Sequence, residues 1–196
     1  YEGDLWKASV NSGQASRLTA MQGYETSPRV SPDGRWIAFT GRQYGNADVF
    51  VMPVNGGDVR QITFHSGNDD VSSWSWDSRS IYFNSGRMGQ VAGFKVSAGG
   101  GTPQRVFGNY FFQYDHNLVE HPATGEIFFN DTWESSNQVH RKRYKGPFNP
   151  DVQSYNVKTK QHKKYTDWQG KDFGATIDRN GNIYFISDEA NGEYNL

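Results

Sequence analysis

The sequence contains no cysteine among its 196 residues, which excludes a disulfide framework and a thiol nucleophile. This absence does not fix the compartment, because cytoplasmic and periplasmic proteins can both lack cysteine. No apolar run approaches the roughly 18 residues that a membrane span requires, so we expect no membrane insertion. The formal net charge of −1 gives no reason to expect a nucleic acid as partner.

Glycine and aromatic residues, by contrast, are abundant. There are 22 glycines, and aromatic residues make up 15% of the chain. This combination favours β-strands joined by tight turns over helices. We therefore expect an all-β fold with negligible helix.

A turn followed by an apolar strand recurs along the chain. The copies lie at 32–39, 77–83, 124–129 and 180–185. Each copy closes on a phenylalanine, and these residues are 44, 46 and 56 positions apart in sequence. They are Phe39, Phe83, Phe129 and Phe185. Internal periods of this length indicate a repeat architecture.

About 44 residues hold four short strands with their turns, which is the size of one β-propeller blade. One twisted blade cannot bury both faces alone, so blades stack around an axis and cover each other. The pattern predicts a partial β-propeller over 1–196, with three complete four-stranded antiparallel blades flanked by two partial ones. The predicted divisions are 1–23 for the end of blade 1, 24–67 for blade 2, 68–111 for blade 3, 112–169 for blade 4 and 170–196 for the start of blade 5.

The apolar positions of the repeated strand are predicted to form the core between blades. They are Trp36, Ile37, Phe39, Ile81, Phe83, Ile127, Phe129, Ile183 and Phe185. Gly34 and Gly181 precede two of these strands, and glycine supplies the positive φ that tight hairpin turns need.

The segment 31–39 resembles the repeat shared by TolB-type propellers, prolyl-oligopeptidase-type propellers and tricorn-type proteases. Two longer stretches are similar to tricorn-type proteases in particular. The first comprises 3–6, 17–19, 28–29 and 32–34, and the second comprises 143–146, 151–152 and 158–167. The resemblance implies a six-bladed propeller that precedes a second propeller, a PDZ-like domain and a serine-peptidase domain. This chain would then run from the end of blade 1 to the start of blade 5.

One loop departs from the pattern of that family. The resemblance implies a basic pair between blades 2 and 3 that holds the carboxylate at the C-terminus of a substrate. Here the loop at 65–71 contains Asp69 and Asp70 and no arginine. The resemblance therefore carries no carboxylate anchor to this position.

The last interval of the repeat exceeds the 44-residue period by 12 residues. Insertions in propellers enter loops, because an insertion within a strand would shift its register. We expect 134–150 to form an excursion outside the four-strand pattern. Its exposed cations Arg141, Arg143 and Lys145 are the candidate contacts for a peptide or a neighbouring domain. The alternative is a solvated loop.

Catalytic and metal-binding candidates are weak throughout the chain. There is no Gly-x-Ser-x-Gly elbow, and no motif ties a serine to Asp115, His116 or His121. The segment 178–182 alternates oxygen-bearing side chains like a calcium loop, but it falls where each blade needs a hairpin turn. We expect no catalytic residues, no metal ligands and no cofactor.

The leading hypothesis is a non-catalytic propeller segment of a tricorn-type serine peptidase. It would gate or channel peptides towards a catalytic domain outside this chain. The alternatives are a TolB-like propeller that binds protein partners and the propeller of a prolyl-oligopeptidase-type hydrolase. The expected partners are peptides and the remaining domains of the parent chain. Homo-oligomerisation and the choice between cytoplasm and periplasm stay open.

Overall fold

A computed structural model describes residues 3–108 and 114–196 of the chain. Its regular structure is five antiparallel sheets with one short helix. None of the described helical segments has the length and apolar character needed to cross a membrane. The prediction of an all-β propeller fragment, with three four-stranded blades between two partial ones, is confirmed. The residue divisions between blades stay a prediction.

Three sheets have four strands each, and every strand pairs with the next one along the chain. The first contains β3 (Glu25–Val30), β4 (Trp36–Gly41), β5 (Asp48–Pro53) and β6 (Arg60–Gln61). The second contains β7 (Asp69–Trp74), β8 (Ser80–Ser85), β9 (Ala92–Ser97) and β10 (Gln104–Arg105). The third contains β11 (His116–Glu120), β12 (Ile127–Asn130), β13 (Gln153–Asn156) and β14 (Gln161–Lys164).

The other two sheets have two strands each. One pairs β1 (Trp6–Ala8) with β2 (Ala15–Arg17). The other pairs β15 (Asp172–Ile177) with β16 (Ile183–Ser187). The helix α1 (Trp133–Asn137) lies between β12 and β13, so the expectation of negligible helix misses one turn of helix there.

Each hairpin between the first two strands of a sheet contains a residue in the left-handed region. Gly34, Gly125 and Gly181 have φ values of 72°, 68° and 88°. Ser78 takes the same place in the second four-stranded sheet, with φ 59°. The positive φ predicted at Gly34 and Gly181 is therefore confirmed, and serine replaces glycine in one copy of the turn.

The core lies between neighbouring sheets. Ala38 and Val49 of the first four-stranded sheet share one apolar cluster with Ile81 and Phe83 of the second. In the next junction, Tyr82 of the second sheet packs with residues of the third, such as Leu118 and Phe129. Each sheet thus covers the face of the next, as blade stacking requires.

Most of the predicted core positions are buried. Those with less than a tenth of their surface exposed are Ile37, Phe39, Ile81, Phe83, Ile127 and Phe129. Ile183 and Phe185 are half-buried and pack against a cluster that includes Phe128 and Val152.

The prediction for Trp36 is wrong, because its side chain is 38% exposed. Trp36 is the first residue of β4 and pairs with Pro53 at the last position of β5. At this end of the hairpin the apolar cluster of Ile37 and Phe39 does not include it. Trp36 thus lies at the end of the repeated strand, outside the part that the core covers.

Candidate functional site

The predicted excursion separates β12 from β13 and contains α1. Arg141, Arg143 and Lys145 follow the helix, and all three side chains are exposed. Pro150 is buried, and its carbonyl accepts a hydrogen bond from Asp172 N at 3.0 Å. The excursion is thus anchored onto the β15–β16 sheet and does not project freely into solvent.

Arg141 belongs to an ion network at the base of the excursion. Its guanidinium group pairs with the buried carboxylate of Glu134 and lies 4.0 Å from the centre of the Tyr144 ring. The other oxygen of Glu134 lies 3.0 Å from Nζ of Lys171, whose side chain is fully buried. Buried charges persist in proteins when they are paired, so this network joins the excursion to the segment that enters β15.

Arg143 is held by the segment that follows β16. Its backbone N donates to Asp188 Oδ2 at 3.1 Å, and its Nη2 lies 3.0 Å from Glu193 Oε1. Lys142 pairs with the same Glu193. Two of the three predicted contact residues, Arg141 and Arg143, therefore already have carboxylate partners within the chain.

Lys145 lacks a carboxylate partner among residues 3–108 and 114–196. Its Nζ lies 5.3 Å from the centre of the Trp168 ring. Lys145, Trp168 and Arg143 line a groove of about 280 Å³ with Asp188 at its edge. Asp188 Oδ1 accepts hydrogen bonds from Trp168 Nε1 and Lys171 N, which fixes the ring against the groove.

A second cavity, of about 310 Å³, is surrounded by the first strands of four sheets. These strands are β3, β7, β11 and β15. Each of them pairs within its sheet only with the second strand, so its other edge is directed towards the cavity. Each also carries a β-bulge, which increases the local twist. This is the position of a propeller's central channel.

Side chains from neighbouring blades reach some of the backbone groups at this cavity. Arg29 Nε donates to Ser72 O, and Trp74 Nε1 donates to Arg29 O, both at 2.8 Å. Ser73 Oγ donates to Leu118 O at 2.7 Å. The axial cavity, as we call it, is thus lined by both apolar and polar residues, and hydrogen bonds between blades hold some of them in place.

Two hairpins from distant parts of the chain meet beside the axial cavity. Arg179, in the turn between β15 and β16, donates from Nη2 to Pro32 O at 2.9 Å. Pro32 lies in the turn between β3 and β4 and lines the cavity. The contact joins two sheets that are 147 residues apart in sequence.

His116 lies close to a serine, a contact that no motif in the sequence predicts. Its Nε2 is 2.9 Å from Ser135 Oγ, and its Nδ1 is 2.8 Å from Tyr114 O. Both side chains are buried, and burial lowers the pKa of His116. Without access for a substrate, the pair fixes α1 against β11.

The other weak candidates, His121 and Asp178, stabilise turns. His121 Nδ1 accepts hydrogen bonds from the backbone N of Ala123 and Thr124, as a turn cap does. Asp178 Oδ1 accepts from the backbone N of Asn180 and Asn182 within its hairpin. No group of three potential metal-binding side chains occurs in the part of the chain that the structure describes.

Asp115 lies directly before β11. Its side chain is buried, and neither oxygen has a hydrogen-bond partner within 3–108 and 114–196. Burial raises the pKa of Asp115 to about 7, which Arg105 partly offsets and Asp131 reinforces. The aromatic run at 110–112, which precedes it, lies outside the described residues.

The stacked sheets and the axial cavity define a β-propeller domain. A family model described as the tricorn protease N-terminal beta propeller domain matches residues 1–196. The chain therefore belongs to this family. A search of curated proteins finds no match to the sequence.

Solved structures share this fold at low sequence identity. The tricorn protease is 20% identical, with a TM-score of 0.77 over 98% of this chain and 19% of its own. A putative TolB from Agrobacterium tumefaciens is 20% identical, with a TM-score of 0.66 over 88% of this chain and 61% of its own. Puromycin hydrolase is 15% identical, with a TM-score of 0.60 over 90% of this chain and 27% of its own. The chain thus spans less than two thirds of each of these proteins.

Proposed function

We propose that the chain is a non-catalytic propeller segment of a tricorn-type serine peptidase and that it channels peptides towards a catalytic domain outside 1–196. Family membership over the whole chain supports the parent class. The observation that carries the channelling role is the axial cavity, which the unpaired edges of β3, β7, β11 and β15 surround.

The chemistry of the axial cavity suits an extended peptide. Strand edges offer backbone donors and acceptors to an added extended segment where no side chain of a neighbouring blade already binds them, and Trp74 and Trp76 line the cavity beside them. The volume of about 310 Å³ is at the lower end of ligand pockets, which span roughly 300–1,000 Å³. Such a cavity admits short extended segments and excludes folded domains.

The excursion is proposed to contact a peptide or another domain of the parent protein through Arg141, Arg143 and Lys145. Lys145 is the best placed of the three, since Arg141 and Arg143 already pair with Glu134 and Glu193. The blade divisions at 23/24, 67/68, 111/112 and 169/170 belong to the same proposal. Peptides and the remaining domains are the proposed partners, and a homo-oligomer is compatible with it.

The test narrows the axial cavity in the full-length protein. Thr176 lines the cavity, and its side chain is exposed, so Thr176→Trp adds bulk without displacing a buried group. Thr159→Trp, in the exposed turn between β13 and β14, is the matched control. We expect Thr176→Trp to slow hydrolysis of long peptides more than that of very short ones, and Thr159→Trp to change neither.

Equal rates in the two variants and the parent protein would contradict channelling through this cavity. The alternatives give different results in the same preparation. A TolB-like propeller predicts a full-length protein without peptidase activity. A prolyl-oligopeptidase-type enzyme predicts a hydrolase domain with a Gly-x-Ser-x-Gly elbow directly after the propeller.

A further inference from the structure

An open groove lies beside β5 and β6, at the strand ends that also carry the excursion. Two exposed aromatic side chains line it: Tyr44 is 65% exposed and Phe64 is 77% exposed. Asn46, Asp48 and Gln61 line its inner part, and its volume is about 450 Å³. We call it the Tyr44–Phe64 groove. Large aromatic surfaces left in water at a concave site are typical of binding surfaces.

The two amide side chains of the groove have a fixed orientation. Asn46 Nδ2 donates to His65 O at 2.8 Å and to Asp48 Oδ2 at 3.0 Å. Gln61 Nε2 donates to Thr63 O at 2.9 Å and to Asp48 Oδ2 at 3.2 Å. All these partners are pure acceptors, so the NH₂ groups must face them.

The amide oxygens of Asn46 and Gln61 consequently face away from these partners. Neither Asn46 Oδ1 nor Gln61 Oε1 accepts a hydrogen bond from any residue in the described ranges. Each amide has its nitrogen turned to Asp48, which leaves its oxygen on the opposite side. The groove therefore offers acceptors rather than donors to a ligand.

Asp48 adds negative charge behind the amides. The residue is 2% exposed, and Thr63 Oγ1 lies 3.2 Å from its Oδ1. Burial raises the pKa of Asp48, and the nearby Asp69 raises it further. The buried carboxylate is hydrogen-bonded by neutral groups only, and Asp69 is paired with Arg87 instead. A cation in the groove would relieve this imbalance.

We propose that the Tyr44–Phe64 groove binds a basic side chain, the guanidinium or ammonium group of arginine or lysine, presented by a peptide or protein. Aromatic faces attract such cations, and the two amide oxygens can accept their N–H groups. Within the described residues, no cation lies over the ring of Tyr44 or Phe64, because all the cation–π contacts involve other aromatic side chains. His65 forms the outer wall, with its Nδ1 accepting from Gly67 N at 2.8 Å.

The experiment titrates N-acetyl-Gly-Arg-Gly-amide into the full-length protein by calorimetry. The matched ligand is the same peptide with citrulline in place of arginine, which keeps the shape and removes the charge. The test variant is Tyr44→Ala with Phe64→Ala. Tyr24→Ala is the control variant, because Tyr24 is as exposed as Tyr44 and does not line the groove. Thermal unfolding checks that all variants stay folded.

We expect the arginine peptide to bind and the citrulline peptide to bind at least tenfold more weakly. The double variant should lose about tenfold in affinity, because each exposed cation–π contact is worth about 0.5–1 kcal/mol. Tyr44→Phe should keep the affinity, since the ring remains, and Tyr24→Ala should keep it too. Equal binding of the two peptides, an unchanged affinity in the double variant, or no binding of the arginine peptide would each overturn the proposal. None of these results depends on peptidase activity or on the axial cavity.

Discussion

Asp115 shows how one residue can depart from the repeat that surrounds it. The matching acids of other sheets have partners: Glu25 accepts from Thr19 Oγ1, and Asp69 pairs with Arg87. The sequence places Phe107 where Thr19 stands in the first copy, which removes the hydroxyl that Glu25 uses. Asp115 is left buried without a hydrogen bond from the described residues.

The first prediction concerns the pH dependence that Asp115 confers. Because its folded pKa of about 7 lies above the unfolded value of about 3.9, the folded state keeps a proton that the unfolded state loses. The contribution of Asp115 to stability is therefore full below pH 4 and is lost as the pH rises through 7. The loss is on the order of 4 kcal/mol, from about 1.4 kcal/mol per pH unit.

Asp115→Asn removes this titration. We expect urea unfolding at several pH values to show a clearly smaller loss of stability between pH 4 and pH 8 than in the parent protein. Some slope remains, because burial also raises the pKa values of Glu25 and Asp172. Asp33→Asn is the control, because a hydrogen bond from Ser31 lowers the pKa of Asp33, which is the opposite direction to the shift of Asp115. An identical slope in Asp115→Asn and the parent protein would contradict this account.

The second prediction concerns the buried cation Lys171. Removing one partner of a buried ion pair costs about 3–5 kcal/mol, because the other charge stays buried. Lys171→Met should lower the free energy of unfolding by somewhat less than this range, because Arg141 still pairs with Glu134. The double variant Lys171→Met with Glu134→Gln should recover part of the loss, as measured by urea unfolding. No recovery would mean that the pair does not couple the excursion to β15.

At the scale of elements, the repeated strand defines the junction between blades. Phe83 of β8 has no exposed surface and stacks on Phe94 of β9, with ring centres 5.7 Å apart. The same pairing occurs between Phe39 and Phe50, also at 5.7 Å. These aromatic pairs occupy the face that packs against the preceding part of the chain, Phe83 and Phe94 against the first four-stranded sheet and Phe39 and Phe50 against Leu5, which explains why their spacing in the sequence reports the blade length.

The third prediction follows from this packing. Phe83→Ala should lower the free energy of unfolding by about 3–5 kcal/mol, as for other fully buried phenylalanines. Trp36→Ala is the control: it removes a larger side chain from a strand of the same type but from an exposed position. It should cost less than half as much in urea unfolding. Comparable losses for the two variants would show that the burial assigned to them is incorrect.

The fourth prediction concerns the space that one blade leaves for the next. A Cβ on Gly93 of β9 would overlap the Leu118 side chain, with Leu118 Cδ1 only 2.9 Å away. Leu118 is fully buried in the next sheet, so it cannot move aside without strain. Gly93→Ala should cost about 1–3 kcal/mol, as overpacking does. Gly86→Ala, where a Cβ meets open space, should be neutral within about 0.5 kcal/mol.

Local signals explain how much of the fold could be predicted from the sequence. The positive φ at Gly34 and Gly181 follows from the residues of each turn, and this prediction is confirmed. The regular spacing of the phenylalanines predicted their place in the core, and Phe39, Phe83 and Phe129 are buried there. The length of the excursion was also visible, because 12 extra residues interrupt a regular period. The burial predicted for Trp36 is wrong because spacing shows that a residue belongs to a strand but not whether the next sheet covers its side chain.

The contacts of the candidate site could not be predicted in the same way. Lys171 and Glu134 are far apart in sequence, and so are Arg143 and Glu193. Which acid neutralises which cation depends on how the excursion packs on β15 and β16. The sequence indicated three exposed cations in the excursion, whereas the three-dimensional arrangement shows that two of them, Arg141 and Arg143, pair with acids within the chain.

At the scale of the whole molecule, the propeller combines an interior packed between sheets with concave sites on its surface. Apolar clusters between sheets fix the blades, and the hydrogen bond of Arg179 to Pro32 joins distant hairpins. The axial cavity and the Tyr44–Phe64 groove are the two concave sites that we propose as peptide-binding sites. Their lining residues come from strands and short turns, which hold them in place.

The channelling role is tested most directly by photo-crosslinking in the full-length protein. A benzoylphenylalanine replaces Thr176 at the axial cavity, and the same residue replaces Thr159 in the exposed turn as control. Under illumination with a labelled peptide substrate, we predict that the label attaches to the protein modified at 176. An excess of unlabelled peptide should reduce this labelling. Labelling at 176 that is absent, or no greater than at 159, would contradict a peptide route along the axis.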